Sequence, residues 1–348
     1  MAINERPGVN SSIEVSSSLS GSKSGKTVGI TAAASSGNKG VCTEIASYGE
    51  AAALYGAECN LTKLIKILLL NGAASVIAIP VSVATSPTLQ DYSAAFSALM
   101  EKENVSVMLC DSRLPEVHAA MKSAIEHASE NCKYRIGIAE STGTVEEACS
   151  KAMALNYERM VMVYPAADEN EIPCGAAAAA LAGIISGSSD PALPVNGAKL
   201  EGLENFTGVF SDSDINTLVQ SGVTPIESTY GSPAVVRGVT TRTKTAGVTD
   251  LTWRELTTVL IIDDVIPSIR SALRRKFPRV KNTVQTRGAI RTQVIIELER
   301  KMKQEIIDSY ASVTATADDA DPTLCIVGFE FTVAHGLNRI VLSAHISV

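Results

Sequence analysis

Short runs of continuous apolar residues, each followed by a helical pattern, constrain this chain more than anything else in it. Residues 74–81, 105–110, 134–139 and 160–164 read as strands with little polar alternation, and a strand that is apolar on both sides has to be covered on both sides. The segments that follow them, 89–101, 115–130, 145–155 and the alanine-rich 174–185, carry apolar residues at helical spacing. With one more strand at 27–32, this alternation predicts an α/β fold, a doubly wound and mainly parallel sheet domain.

At 348 residues the chain exceeds the usual reach of one hydrophobic core, so a second domain is expected. Residues 188–250 lead to it through a Gly/Pro/Ser-rich connection at 187–197, a short helix near 213–220 and β-like runs at 223–229 and 235–241. The boundary falls at 245–249. Beyond it, Leu256, Leu260, Val265, Ile269 and Leu273 mark a helix over 251–277 that Pro267 should bend or interrupt. Ile290, Val294, Leu298, Met302, Ile306 and Tyr310 mark a second helix over 289–310. Residues 324–333 and 339–348 then form a strand pair. The last strand puts Ile340, Leu342, Ala344, Ile346 and Val348 on one face and offers an edge to which another chain could add.

Patterns that would carry chemistry are missing. The turns after the strands hold no dinucleotide fingerprint. Gly21-Ser22-Lys23-Ser24-Gly25-Lys26-Thr27 imitates a phosphate-binding loop, but its glycines are one residue too close and a strand follows where a helix is needed. It reads as a flexible linker. Asp111 and Asp168, at strand-to-helix turns, read as helix caps. Cys110 reads as a buried structural thiol, since no motif supplies a base. Asp263 and Asp264 read as a solvated helix face, and Asp318, Asp319 and Asp321 as an acidic loop. The four histidines are too scattered for a metal set, and no Cys-x-x-Cys or Gly-x-Ser-x-Gly occurs. No catalytic, cofactor or metal residue is therefore expected. Seven dispersed cysteines and a polar opening point to folding in a reducing cytoplasm. The longest apolar runs are too short to span a bilayer, and a net charge of −7 with 4% aromatics disfavours nucleic acid as a partner.

Two polar stretches remain. Residues 1–22 are serine-rich, with one alternating segment that puts Val9, Ile13 and Val15 on a common strand face; composition alone favours disorder there. The end of the first C-terminal helix holds six cations in twelve residues, Arg270, Arg274, Arg275, Lys276, Arg279 and Lys281. Cations suit a helix C-terminus, but six exceed that need and point to a surface for an acidic protein partner.

Several pieces stand in a characteristic order: Arg6-Pro7-Gly8-Val9, Val28-Gly29-Ile30, Ile45-Ala46-Ser47-Tyr48-Gly49-Glu50, Leu54-Tyr55-Gly56, and Leu69-Leu70-Asn71-Gly72-Ala73-Ala74 entering the strand at 76–80. The helix through Ile269-Arg270, the link from Asn282 to Arg287, the second helix and the closing strands complete it. In this order they resemble the contractile tail sheath proteins of phage tails and R-type bacteriocins, over nearly the full length and without large outer insertions. The resemblance implies a structural subunit that polymerises helically, as stacked hexameric rings, around a rigid tube and contracts to drive the tube through a cell envelope. Its implied partners are further copies of itself, the tail tube protein, and baseplate and tail terminator proteins, with no cofactor and no membrane insertion. It divides the chain into an N-terminal arm and linker (1–22), an outer α/β domain (23–247) and a small α+β C-terminal inner domain (248–348) with exchanged terminal strands. Val9, Ile13 and Val15, and Ile340, Leu342 and Ile346, become intersubunit arms, which reverses the compositional reading of the N-terminus. Arg270, Arg274, Lys276 and Arg279 are expected to contact an acidic tube. The expected location is the bacterial cytoplasm during assembly, then a released phage tail or bacteriocin particle. The rival reading of the same residues is a doubly wound enzyme with a C-terminal oligomerisation domain.

Overall fold

A computed structural model describes residues 26–83, 86–167, 172–203, 206, 208–229 and 231–338. The chain runs β1 (Thr27–Ala34), β2 (Thr43–Ile45), α1 (Tyr48–Tyr55), α2 (Asn60–Leu70), β3 (Ser75–Val83), α3 (Leu89–Met100), β4 (Val105–Cys110), α4 (Pro115–Glu130), β5 (Ile136–Glu140), α5 (Val145–Leu155), β6 (Met160–Tyr164), α6 (Ala176–Gly187), α7 (Asp212–Gln220), β7 (Val223–Thr229) and β8 (Ser232–Val235). A small hairpin, β9 (Lys244–Thr245) and β10 (Val248–Thr249), precedes α8 (Leu256–Lys276), α9 (Val284–Lys303), β11 (Ile307–Ala317) and β12 (Cys325–Val333).

The first eight strands form one sheet in the order β2-β3-β1-β4-β5-β6-β7-β8. Neighbours from β3 to β7 are parallel, and antiparallel β2 and β8 close its two edges. Strand residues divide between two cores by alternation. Val28, Ile30, Leu109 and Val161 face α1, α2 and α6, while Ile79, Met108 and Met160 face α3, α4, α5 and α7. Capping boxes start three of these helices, Thr88 with Asp91, Thr144 with Glu147 and Ser211 with Asp214. The expected run at 235–241 is strand only as far as Val235; Val239 beyond it makes an isolated bridge to Glu255.

Helix α6 is alanine-rich because it lies against both the sheet and α2. A Cβ on Gly183 would stand 2.6 Å from the Asn71 Cβ and 2.8 Å from the Leu68 carbonyl oxygen. Backbone cannot yield as a flexible side chain can, so Gly183→Val should force the two helices apart. The expected loss is about 1–3 kcal/mol, read as a lower urea midpoint with an unchanged slope; an unchanged midpoint would count against this packing.

The C-terminal unit is built on α8, which serves two cores. Leu256 and Val259 complete the core around α2 and α6, whereas Ile261, Val265 and Ile269 pack with Val294 and Leu298 of α9 and with Ile307 and Val313 of β11. Helix α8 is not interrupted at Pro267. The hydrogen bond lost is the one to the Asp263 carbonyl, and Val265 and Ile269 on either side stay buried.

The second helix is shorter than its periodicity predicts. It ends at Lys303, where Glu305 takes a left-handed φ of 59°. The Glu305 and Ile306 amides bond back to the Met302 and Lys301 carbonyls at 3.0 Å each. This paired closure is the Schellman pattern, here with glutamate where glycine is usual. The chain turns directly into β11, so Ile306 and Tyr310 lie beyond the helix, and β11 is the antiparallel partner of β12. Among the described residues the partner of 325–333 is 307–317; the strand expected at 339–348 lies outside them. The proposed arm residues Val9, Ile13, Val15, Ile340, Leu342 and Ile346 lie outside the described residues. Among the described residues, β11 and β12 each keep one unpaired edge.

Candidate functional site

Two places could carry function: the carboxyl edge of the large sheet, where doubly wound folds bind ligands, and the surfaces of the C-terminal unit. The strand order reverses at β1, between β3 and β4, the topological position at which such sheets open a crevice. Asp111, just beyond β4, is buried there. Its carboxylate accepts from the Tyr92 hydroxyl at 2.6 Å, the Ala33 amide at 2.9 Å and the Asn60 amide side chain at 3.3 Å. Burial pushes this carboxyl upward while those hydrogen bonds oppose the shift. It is not the helix cap expected of it: α4 starts at Leu114 with no side-chain cap. Asp168 lies outside the described residues.

Glu140, ending β5, is buried as well. It accepts Arg113 Nε at 2.8 Å and Nη2 at 2.7 Å, and the backbone amides of Gly175 at 2.7 Å and Ala177 at 3.2 Å. It thereby supplies the anion at the N-terminus of α6, whose own N-cap, Gly175, has no side chain to offer. Cys110 is buried, its thiol pushed up by desolvation. Asp111 and Glu140 thus tie strands to helices.

At the opposite edge, α8 crosses the amino ends of the strands and leaves a cleft of about 820 Å³. Beside it, Arg159 lies over the Tyr134 ring, 4.8 Å from its centroid, and pairs with Asp263 at 2.6 Å and 3.3 Å. Glu158 joins Arg159 at 3.3 Å and Arg242 at 2.7 Å, and Asp264 pairs with Lys301. Asp263 and Asp264 are therefore not a solvated face, because the first meets Arg159 of the large domain and the second Lys301 of α9. Burial pushes the Asp263 carboxyl up to about 6, with the Arg159 guanidinium pulling against it.

The expected tube-facing cations separate into two groups. Arg270 is engaged within the chain, donating to the Cys132 carbonyl at 3.3 Å and the Tyr134 hydroxyl at 3.4 Å. Arg274, Lys276 and Arg279 are exposed, together with Arg275 and Lys281; Lys276 reaches Gln293 at 2.7 Å. Sequence patterns gave no hint of the ties that position the hairpin. Asn282 donates to the carbonyls of Pro322 at 2.8 Å and Leu324 at 3.1 Å, and Arg291 donates to Val313 at 2.8 Å. After β12 the chain returns to the large domain, where Asn338 meets Asn196 at 2.7 Å. A Cβ on Gly336 would stand 2.3 Å from the Pro194 ring.

The chain matches two family models, the phage tail sheath protein central domain over residues 85–241 and the phage tail sheath C-terminal domain over residues 248–347. No curated protein matches it. Among solved structures it is similar to the helical sheath of the anti-feeding prophage in the contracted state, with TM-score 0.75 and 16% identity over 99% of each chain. A chain of the anti-feeding prophage baseplate gives TM-score 0.76 and 17% identity, covering 99% of this chain and 100% of that one. The sheath tail protein of Desulfitobacterium hafniense gives 0.71 and 12%, covering 94% and 100%. At these identities the likeness speaks to fold, and the family follows from the two successive domain matches: this chain belongs to the phage tail sheath protein family.

Proposed function

We propose that the protein, a structural subunit of a contractile tail sheath, polymerises helically around an inner tube and contracts to drive that tube through a cell envelope. The observation that carries this reading is the two-stranded sheet of the C-terminal unit. A lone strand pair is marginal by itself, and here both outer edges are unpaired among the described residues. Val9, Ile13 and Val15 on one terminal segment, and Ile340, Leu342 and Ile346 on the other, have the alternation needed to add strands to such edges in neighbouring copies. Burying each apolar residue of an arm contributes about 1.5–3 kcal/mol, against about 1–2 kcal/mol of entropy for each residue ordered. One arm is therefore marginal, and cohesion comes from many linked exchanges.

The tube-facing group is Lys276 and Arg279, an exposed basic end suited to an acidic tube. Arg270 instead fastens α8 to the large domain. Likeness to chains of both sheath and baseplate in the anti-feeding prophage supports contact with a baseplate, and the family supports residence in a phage tail or related particle. Negative-stain microscopy of the purified chain with its tube tests the whole reading. Striated cylinders are expected from the intact chain, and a folded, soluble, non-polymerising protein after deletion of residues 1–15. A truncated chain that still builds contractile cylinders would remove the arms from the account.

A further inference from the structure

The cleft at the domain junction and the tip of the β11–β12 hairpin carry opposite charge, and we infer that the tip of one copy seats in the cleft of the next. This contact rests on the sheath reading and specifies one of its self-interfaces. Lys133 lines the cleft from the large domain, and Arg274 and Arg275 from α8. The wall carboxylates Asp263 and Asp264 are already neutralised by Arg159 and Lys301, which leaves Glu103 as the other acid there. Arg274 and Arg275 are exposed and form no ion pair among the described residues. The concavity is thus basic, with Glu103 the one acid left to set against its cations among the described residues.

The hairpin tip is the reverse. Asp318 accepts from the Ala320 and Asp321 amides at 2.9 and 2.8 Å, and Asp321 from the Thr323 amide and hydroxyl at 2.8 and 2.6 Å. These bonds fix the Asp318 and Asp321 side chains, with Asp319 between them, on an exposed turn, and those from Thr323 keep the Asp321 carboxyl below its ordinary value. None of the three meets a cation among the described residues. Within the chain the tip does not fill the cleft, because Asn282 fastens its base to the link beyond α8. Protrusion and cleft are different surfaces of one chain, so their union is heterologous, and a heterologous contact that does not close propagates as an open helix. Exposed charges of this kind act mainly on encounter rate and register.

The test uses the full-length chain with two triple variants, Asp318→Lys with Asp319→Lys and Asp321→Lys, and Lys133→Glu with Arg274→Glu and Arg275→Glu. Without tube, each should raise the concentration needed for polymerisation by about tenfold, measured by sedimentation. The six substitutions combined, or an equal mixture of the two triples, should restore it. Either triple polymerising like the parent, or the combined variant failing as badly as the triples, overturns the contact. So does a defect of the cleft triple seen only on the tube, which would assign these cations to the tube. Should melting curves show that a triple misfolds, Asp319→Asn and Arg275→Gln form a double-mutant cycle; strictly additive effects, or none that weaken with salt, overturn the contact equally. A parent chain that never polymerises overturns the sheath reading itself, whereas a parent polymer indifferent to charge reversal overturns this contact alone.

Discussion

Arg159→Ala is expected to destabilise the chain by about 3–5 kcal/mol at neutral pH, because it leaves a mostly buried carboxylate without its guanidinium. The loss should shrink below pH 6. Asp263 titrates at about 6 in the folded chain against an ordinary 3.8. Between those values the folded state keeps a proton that the unfolded state has released, so the parent loses stability as pH rises from 4 to 6 and then levels off. Without the guanidinium, 2.6 Å away in the parent, the folded value moves higher still. The variant therefore goes on losing stability above pH 6, and the gap between the two proteins widens with pH. Urea midpoints at pH 5 and pH 7.5 measure this. The single Trp253, packed against the core that α8 completes, supplies the signal. Equal losses at both pH values would mean that Arg159 acts through its packing on Tyr134 and not through Asp263.

Legibility of the chain depended on how far away each residue's partners lie. The α/β half could be read because periodicity and caps are local properties: residues 105–110 and 160–164 are strands in the structure as in the pattern, and Thr144 with Glu147 opens α5. A local capping rule fails at Asp111 because its partners lie 19, 51 and 78 residues away. Asp263 seemed solvated for the same reason, its partner standing 104 residues earlier. Strand β11 was hidden by a coincidence of spacing, since Ile306 and Tyr310 extend the four-residue rhythm of α9 past its end. Glutamate in the left-handed closing position gave no glycine to mark the stop. The β-branched run at Val313, Thr314 and Thr316 was the available signal. Among the candidate site residues, the basic cluster was visible as composition, but only the fold separates Arg270, held on Tyr134, from the exposed Lys276 and Arg279.

Glu140→Ala should be comparably damaging, at about 3–5 kcal/mol, since it strips a buried ion pair of one member. Glu140 is 1% exposed and meets Arg113 through two nitrogens. It also holds the first turn of α6, where Gly175 sits at φ 92° and a Cβ would stand 2.8 Å from the Cys110 carbonyl oxygen. No side chain at position 175 can take over the capping, so β5 must provide it. Glu140→Gln keeps the shape and one acceptor but loses the charge, and about 1–3 kcal/mol is expected. Adding Arg113→Ala to Glu140→Ala should then cost less than Arg113→Ala alone, because the contact with Glu140 is already gone. Denaturation of the four proteins gives the coupling directly. An additive result would mean that the N-terminus of α6, and not Arg113, is what Glu140 chiefly serves. The comparison bears on the sheath as well as on the fold. At the edge where a doubly wound sheet can open around a ligand, this chain joins β5, the loop after β4 and a buried helix through one carboxylate, which stiffens a domain that has to transmit force through a polymer.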